Sequence, residues 1–210
     1  MVNIPIGIFF QYMETKGERT RQLIIERSLQ LFSVKGYHNT SINNILEATQ
    51  LTKGGLYGHF ESKEAIWYAI YDEAVTRWRQ VVFAGVQEIT DPLRRIEKVI
   101  ANDLLNYLGK DIFEGGCFFL NALVELSGQS PEMSRHMLRG FIRFSKLLQQ
   151  WLVEAEERGL IRSGLNHREI ANFIFISLNG AAALYAVTRD LTILKQTTSQ
   201  LHHYVQQLKA

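Results

Sequence analysis

The chain has 210 residues, of which 46% are hydrophobic and 21% charged, a composition typical of soluble globular proteins. Its formal net charge of +2 is too small for bulk charge alone to indicate a nucleic-acid partner. The single cysteine, Cys117, excludes an intrachain disulfide framework and indicates a reducing compartment. We therefore expect a cytoplasmic protein whose affinity for DNA, if any, depends on where individual charges are placed.

The first residues, MVNIPIGIFFQYM, are apolar but lack the basic region and the cleavage site of a signal peptide. They are also too short to span a membrane. We expect residues 1–14 to be either a disordered extension or a start-site artefact. The sequence shows no repeat, no glycine-rich phosphate loop and no metal-finger spacing, so we expect no cofactor and no metal.

A helix-turn-helix is predicted after a first helix that ends at Gly36. Two short helical patterns, Ser41–Ala48 and Lys53–Phe60, are separated by a tight turn. Thr40 and Thr52 stand where N-cap residues are expected, because their hydroxyls can accept hydrogen bonds from the free N–H groups of a first turn. We expect residues 15–61 to form this small head.

The second of these two helical patterns is intrinsically weak. It contains Gly54, Gly55 and Gly58 within two turns, and each glycine costs about 1 kcal/mol relative to alanine in a helix interior. Glycine, however, lets a backbone come close to another surface. Four neighbouring side chains can donate hydrogen bonds to phosphate oxygens: Lys53, Tyr57, His59 and Lys63. The pattern therefore indicates a DNA-recognition helix.

The remainder of the chain, residues 62–210, is predicted to be a helical body. Ser62 is the expected N-cap of a long helix that joins the head to the body. The predicted helices of the body run from Lys63 to Gln87, Asp91 to Leu108, Gly116 to Leu126, Pro131 to Arg158, Asn166 to Thr188 and Leu191 to Leu208. We expect an all-α fold of about nine helices with no sheet.

The predicted helix from Asn166 to Thr188 is apolar on almost every side. Such a helix must be covered all round, which a chain of this size does not easily achieve alone. We expect a homodimer in which residues 166–208 of two subunits form a four-helix bundle. A twofold dimer presents two recognition helices about one turn of DNA apart, so its operator should be nearly palindromic. The alternative is a central helix buried within one chain.

The head resembles the N-terminal signature of the tetracycline-repressor (TetR) family of bacterial transcriptional regulators. The resemblance covers roughly residues 18–67. The matching residues are Ile24, Ile25, Ser28, Leu31 and Phe32, then Gly36, Tyr37, Thr40, Ser41 and Ile42, then Leu56, Tyr57, His59, Phe60, Lys63 and Ile66. Ser28 and Ile66 replace the usual alanine and leucine, which alters packing only slightly.

The resemblance also implies which head residues contact DNA. It implies that Lys53, Gly54 and Gly55 face base edges. It implies that Tyr57, His59 and Lys63 contact the phosphate backbone, and that Ser41 does so from the N-terminus of the preceding helix. Gly58 stands where the family often has an aromatic side chain, so one groove contact is missing. Lys53 is then the main side chain for reading a base, guanine above all, and DNA shape supplies further selectivity.

The family resemblance further implies a small-molecule cavity in the body. Aromatic side chains are dense there, and we expect five residues to line the cavity: Tyr107, Cys117, Asn121, Phe144 and Trp151. The alternative is that these aromatic residues only fill the core. Cys117 follows two glycines at a predicted helix start, where the helix dipole favours a thiolate, so an electrophile sensor is one hypothesis and an inert buried thiol the other.

These patterns together predict a ligand-responsive transcriptional regulator, a repressor by analogy, that binds a near-palindromic operator as a homodimer. A small hydrophobic or electrophilic effector is expected to release it from DNA. The alternative is a helical protein-interaction adaptor that does not bind DNA. An enzymatic function is disfavoured, because the six histidines are scattered along the sequence and no pairing of a nucleophile with a general base can be recognised.

Overall fold

The computed structural model describes residues 15–210, so the N-terminal extension predicted at 1–14 lies outside the described residues. Within that range the fold is all-α, as predicted, and the only strand-like pairing is an isolated bridge between Ile161 and Lys209. The head contains α1 (Lys16–Lys35), α2 (Ile42–Thr49) and α3 (Lys53–Tyr57). The body contains α4 (Lys63–Val82), α5 (Pro92–Ala101), α6 (Phe118–Leu126), α7 (Pro131–Glu157), α8 (His167–Thr188) and α9 (Leu191–Gln206).

The helix starts in the head are fixed by side-chain caps. Thr52 caps α3 as predicted, and its hydroxyl accepts a hydrogen bond from the Gly55 N–H at 3.1 Å. The predicted N-cap at Thr40 is wrong, because the Thr40 hydroxyl donates back to the Gly36 carbonyl at 2.7 Å. Ser41 caps α2 instead, and its hydroxyl accepts from the Asn44 N–H at 3.1 Å.

Helix α3 is shorter than predicted and ends at Tyr57 rather than Phe60. Gly58 is its C-cap residue, and the Gly58 N–H donates to the Gly54 carbonyl at 2.9 Å. A helix with so many glycines gains little from another turn, so the chain leaves it early. Leu56 and Phe60 are buried in the head core, and they hold the short helix in place.

Helix α4 also ends earlier than predicted, at Val82 rather than Gln87. The buried Asn102 explains this end, because its side-chain amide donates to the Val82 and Ala84 carbonyls, both at 3.0 Å. These bonds satisfy carbonyl groups that an α-helix leaves free at its C-terminus. Asn102 also begins a π-helical segment, Asn102–Leu108, that continues α5, whereas a uniform α-helix was predicted.

The body is a helical bundle attached to the head through α4. Trp67, Ile70, Tyr71 and Ala74 lie on the buried face of α4, so the helix is held firmly along its length. Helix α7 packs against α5, α6 and α8, and α8 packs against α9. The starts of α5 and α7 at Pro92 and Pro131 agree with the predicted helix starts.

Candidate functional site

The outer surface of α3 carries three of the residues predicted to contact DNA. Lys53, Gly54 and Tyr57 are exposed, and the Tyr57 side chain keeps 42% of its accessible surface. Leu56, on the opposite side, is fully buried. A Cβ atom added at Gly54 would meet nothing within 4 Å, so no neighbour in the chain requires glycine there. This surface is therefore free to contact another molecule.

The other predicted DNA residues around α3 differ in exposure. Gly55 and His59 are half-buried beside α3, so they have less accessible surface than Lys53, Gly54 or Tyr57. Ser41 is exposed, but its hydroxyl is occupied as the cap of α2.

Lys63 has partners within the head. Its ammonium group donates to the Tyr37 carbonyl at 2.9 Å and to the Thr40 carbonyl at 3.0 Å. The same nitrogen lies 4.1 Å from the centroid of the Tyr37 ring, a cation–π contact. Burial lowers the pKa of Lys63, and the nearby Glu125 carboxylate opposes that shift. Lys63 therefore ties the start of α4 to the turn between α1 and α2.

The same turn is held from the body by Glu125 of α6. Its carboxylate accepts hydrogen bonds from the Tyr37 N–H at 2.9 Å and from the His38 N–H at 2.8 Å. Gly36 makes this contact possible: its φ is +81°, and a Cβ there would lie 2.6 Å from the Glu125 carboxylate oxygens. Glu125 was not predicted from the sequence, because nothing local to it signals a partner almost ninety residues away in the chain.

The body encloses a cavity of about 480 Å³, bounded by α4, the π-helical segment, α6, α7 and α8. A volume of this order suits a drug-sized ligand. Three of the five predicted residues line it: Tyr107, Cys117 and Phe144. Asn121 does not, because it is exposed and its amide donates to the Gly115 carbonyl at 3.0 Å. Trp151 does not line it either and packs, partly buried, against the core.

The cavity wall is mostly aromatic. Trp78 is central to it, and its ring meets Phe83, Phe119 and Phe144 edge to face, with centroid distances of 5.6, 6.2 and 5.2 Å. Such contacts are favourable beyond the area they bury, so they stiffen the wall. The density of aromatic residues in the body was visible in the sequence, but Trp78, Phe83 and Phe119 were not among the residues predicted to line a cavity.

Asp103, in the π-helical segment, is the acidic residue of the cavity lining. The Trp78 indole N–H donates to its carboxylate at 2.9 Å. Burial raises the pKa of Asp103 to about 6 from an ordinary value of 3.8, and the hydrogen bond from Trp78 opposes that shift. The side chain is surrounded by protein but keeps some exposure, because it faces the open cavity.

The buried environment of Cys117 disfavours the thiolate form of its side chain. Burial raises the pKa of its thiol to about 11, and hydrogen bonds from backbone groups of α6 oppose this shift without cancelling it. The Tyr107 hydroxyl donates to the sulfur at 3.8 Å. The hypothesis of a dipole-activated thiol is therefore wrong, because desolvation outweighs the helix start. The structure agrees with the alternative of a buried, unreactive thiol.

Helix α8 leaves an apolar face uncovered. Phe173, Ile176, Leu184 and Val187 are all exposed, with 67% of the Ile176 surface accessible. Among residues 15–210, α8 is also the helix long and apolar enough to cross a membrane, with a mean hydropathy of 1.7. An interface helix of a soluble protein has the same composition. The other face of α8, including Ile174 and Leu178, is buried within the chain.

No group of three or more possible metal ligands occurs within the described range. A small helical head with an exposed, glycine-rich third helix is joined to a body that holds an aromatic cavity. This combination defines a class of proteins in which a ligand site and a helix-turn-helix occupy one chain.

The family models identify the class more closely. Residues 24–70 match the model described as "Bacterial regulatory proteins, tetR family", and residues 92–201 match "Tetracyclin repressor-like, C-terminal domain". The chain belongs to the TetR family of transcriptional regulators. The predicted resemblance is confirmed and extends from the head to the body.

Individual relatives agree with this assignment. The HTH-type transcriptional repressor DhaR of Mycobacterium sp. (strain GP1) is 29% identical over 177 residues, which cover 84% of this chain and 87% of DhaR. A TetR transcriptional regulator from Chloroflexus aurantiacus J-10-FL superposes with a TM-score of 0.86 at 27% identity, covering 92% of this chain and 98% of its own. AibR, solved with isovaleryl coenzyme A and operator DNA, has the same fold, with a TM-score of 0.68, 22% identity and coverage of 87% and 98%.

Proposed function

We propose that this protein is a cytoplasmic repressor that binds a near-palindromic operator as a homodimer and leaves it when a small molecule enters the body cavity. The observation that carries this proposal is the position of α6. Its first turn contributes Phe119 to the cavity, and Glu125 on the same helix holds the turn between α1 and α2. One rigid element therefore touches both the cavity and the head.

In the proposed complex, α3 enters the major groove. The exposed Lys53 reads a base, and Gly54 with Gly55 lets the helix backbone come close to the base edges. Tyr57 and His59 donate to phosphates, and the N-terminal end of α2 at Ser41 approaches a phosphate through its free N–H groups. Lys63 uses two donors within the head, so its contribution to DNA binding is one remaining N–H and the positioning of the turn.

The homodimer is proposed to form through α8 and α9. The exposed face of α8 is too apolar to be left in water, and burial of each large apolar side chain contributes about 1.5–3 kcal/mol. The Gly180 position offers open space for close helix approach, since an added Cβ would meet nothing within 4 Å in the single chain. The name of DhaR as a repressor, and the operator complex of AibR, support the proposed role in transcription.

Effector release is proposed to follow from a small displacement of α6. Phe119 and Glu125 are six residues apart, which is about 9 Å along a helix. A ligand that pushes Phe119 outward tilts α6, and Glu125 moves the α1–α2 turn with it. The two recognition helices of the dimer then lose the spacing that the operator requires. Ordinary allosteric coupling needs a preference of only about 1–3 kcal/mol for the released form.

The proposal is tested by selecting genomic DNA fragments on the purified protein and measuring operator affinity over a range of salt concentrations. We expect enrichment of near-palindromic fragments and a steep loss of affinity with salt, because phosphate contacts release counterions. Lys53→Ala should relax selectivity at one base position of each half-site. Lys98→Ala, which removes an exposed lysine of α5 outside the head, the cavity lining and the proposed dimer helices, is the matched control and should bind normally.

A failure to enrich any fragment at low salt would overturn the proposal and favour the adaptor, whose partner is a protein. A weak dependence on salt would have the same meaning. Loss of binding in the Lys98→Ala control would show that general charge, and not α3, determines affinity.

A further inference from the structure

Asp103 is unusual among the charged groups of the cavity. The lining contains one carboxylate, Asp103, and two guanidinium groups, Arg79 and Arg143, within the part of the chain that the structure describes. Both arginines are exposed residues, so solvent screens their charge. Asp103 is less exposed and is surrounded by protein. The buried charge of the lining is therefore negative, and its positive charges are solvent-exposed.

The Asp103 carboxylate has a single side-chain partner. The Trp78 indole N–H donates to one oxygen, and no lysine, arginine or histidine pairs with Asp103 between residues 15 and 210. A buried charge without a counter-charge is costly, and proteins normally supply a partner for it. The partner here can come from a ligand, because the carboxylate faces the open cavity.

The surrounding wall favours a positive ligand group over a negative one. Trp78, Phe119, Phe144 and Tyr107 all line the same cavity, and Trp78 contacts the carboxylate directly. Aromatic faces carry negative potential and attract ammonium groups, most strongly where water is excluded. The Tyr107 hydroxyl and the Cys117 thiol lie close to Asp103, and burial raises the pKa of both, so neither adds a negative charge that would change this balance.

The position of Asp103 in the helix is also distinctive. It belongs to the π-helical segment Asn102–Leu108, and such segments inside α-helices occur frequently at functional sites. Asn102 is used to cap α4, and Asp103, the next residue, faces the cavity. The irregular turn thus places two polar side chains in an otherwise apolar interior. Asn102 caps the end of α4, and Asp103 accepts one hydrogen bond from Trp78 while lining the cavity.

We propose that the effector is a lipophilic amine whose protonated nitrogen pairs with Asp103 while its apolar body lies against the aromatic wall. This inference rests on the proposed function, in which the cavity is the effector site. A carboxylate or phosphate ligand is disfavoured at the inner wall, because it would face Asp103 in a low-dielectric environment. Charge at Asp103 therefore selects the chemical class of effector, and the aromatic wall selects its size.

The test compares three probes of one shape: a naphthylmethylamine, the corresponding naphthylmethanol and the corresponding naphthoate. Binding to the full-length protein is measured by calorimetry, and release from operator DNA is measured in parallel. We expect the amine to bind at least about tenfold more tightly than the alcohol, and the acid to bind most weakly. Asp103→Asn, which keeps the acceptor for Trp78, should remove the preference for the amine and leave the affinity for the alcohol unchanged.

Glu132→Gln is the matched control, because it removes an exposed carboxylate that does not line the cavity. It should keep the preference of the wild-type protein. Circular dichroism is used to check that Asp103→Asn is folded. Asp103→Ala provides a second variant without the carboxylate. An amine that binds no better than the alcohol, or an amine preference that survives in both Asp103 variants, overturns the inference.

The two readouts separate this inference from the function on which it rests. If the naphthoate binds preferentially and releases the operator, the cavity is still supported as the effector site, but the inference of an amine effector is overturned. Preferential amine binding without operator release would support Asp103 as the recognition group and count against the cavity as the switch. Absence of binding by the amine would overturn the inference directly.

Discussion

Replacing Gly54 by alanine separates the stability of α3 from its proposed use on DNA. The added Cβ has open space, with nothing within 4 Å, so alanine meets no steric cost. Alanine is favoured over glycine in helices by about 0.5–1 kcal/mol, and the lower end applies in a first helical turn. For a chain of this length we expect the melting temperature to rise by about 1–4 °C. The variant should therefore be more stable than the wild-type protein.

The same methyl group should weaken operator binding. It projects from the exposed surface of α3, where the proposed complex brings the helix backbone close to base edges. A loss of about 1 kcal/mol in each half-site gives roughly thirtyfold weaker binding by a dimer. Fluorescence anisotropy with a labelled operator measures this change, and thermal unfolding without DNA, at fixed protein concentration, measures stability.

Gly55→Ala provides the comparison within the same helix. Its Cβ would lie 3.3 Å from the Thr52 hydroxyl oxygen that caps α3, so part of the gain in stability is lost. Unchanged operator affinity in Gly54→Ala would refute the reasoning, because the weakness of α3 would then have no connection with DNA. A lower melting temperature for Gly54→Ala would show instead that the backbone at position 54 does not favour alanine over glycine.

Three further predictions concern the body. Glu125→Gln weakens two charge-assisted hydrogen bonds, so amide hydrogen exchange at residues 37 and 38 should accelerate by about tenfold. Unchanged exchange would exclude Glu125 as the link between head and body. Ile176→Glu should convert the proposed dimer to monomers, as measured by size-exclusion chromatography with light scattering. Val124→Glu, at a similarly exposed position on α6, should leave the dimer intact. A dimeric Ile176→Glu variant would contradict the α8 interface. Because the pKa of Asp103 is raised to about 6 from 3.8, the native state binds its proton more tightly, and stability should fall as pH rises through that window. Thermal unfolding should show Asp103→Asn more stable than Glu132→Gln above pH 6, with the difference closing below 3.8; a constant difference would contradict the assignment.

The parts of the fold that depend on local signals were predictable from the sequence. Pro92 and Pro131 at first helical positions, and the Thr52 and Ser62 caps, place four helix starts correctly. Helix ends were less predictable, since the end of α4 depends on Asn102, which reaches it from another helix. Such long-range side-chain caps leave no periodic signal at the helix they terminate.

The candidate cavity, like the helices, was predictable only in part from local signals in the sequence. Aromatic density indicated a cavity in the body, and Tyr107, Cys117 and Phe144 do line one, while their role in ligand binding stays a prediction. Asp103 was missed, although a single carboxylate in the run IANDLLNYL is a visible sign of a polar group in an apolar helix. The Cys117 hypothesis was wrong for a related reason, because the helix start is visible in sequence but the burial that raises the pKa is not.

The attachment of Glu125 to Tyr37 and His38 uses main-chain amides only. The side chains at those two positions take no part in this attachment, which requires only that neither residue is proline and that glycine stays at position 36. The Tyr37 ring has a separate contact with Lys63 inside the head. Heads taken from relatives with other operators should dock on this body without redesign of the joint. The fold thus lends itself to chimeric sensors in which one input domain controls interchangeable outputs.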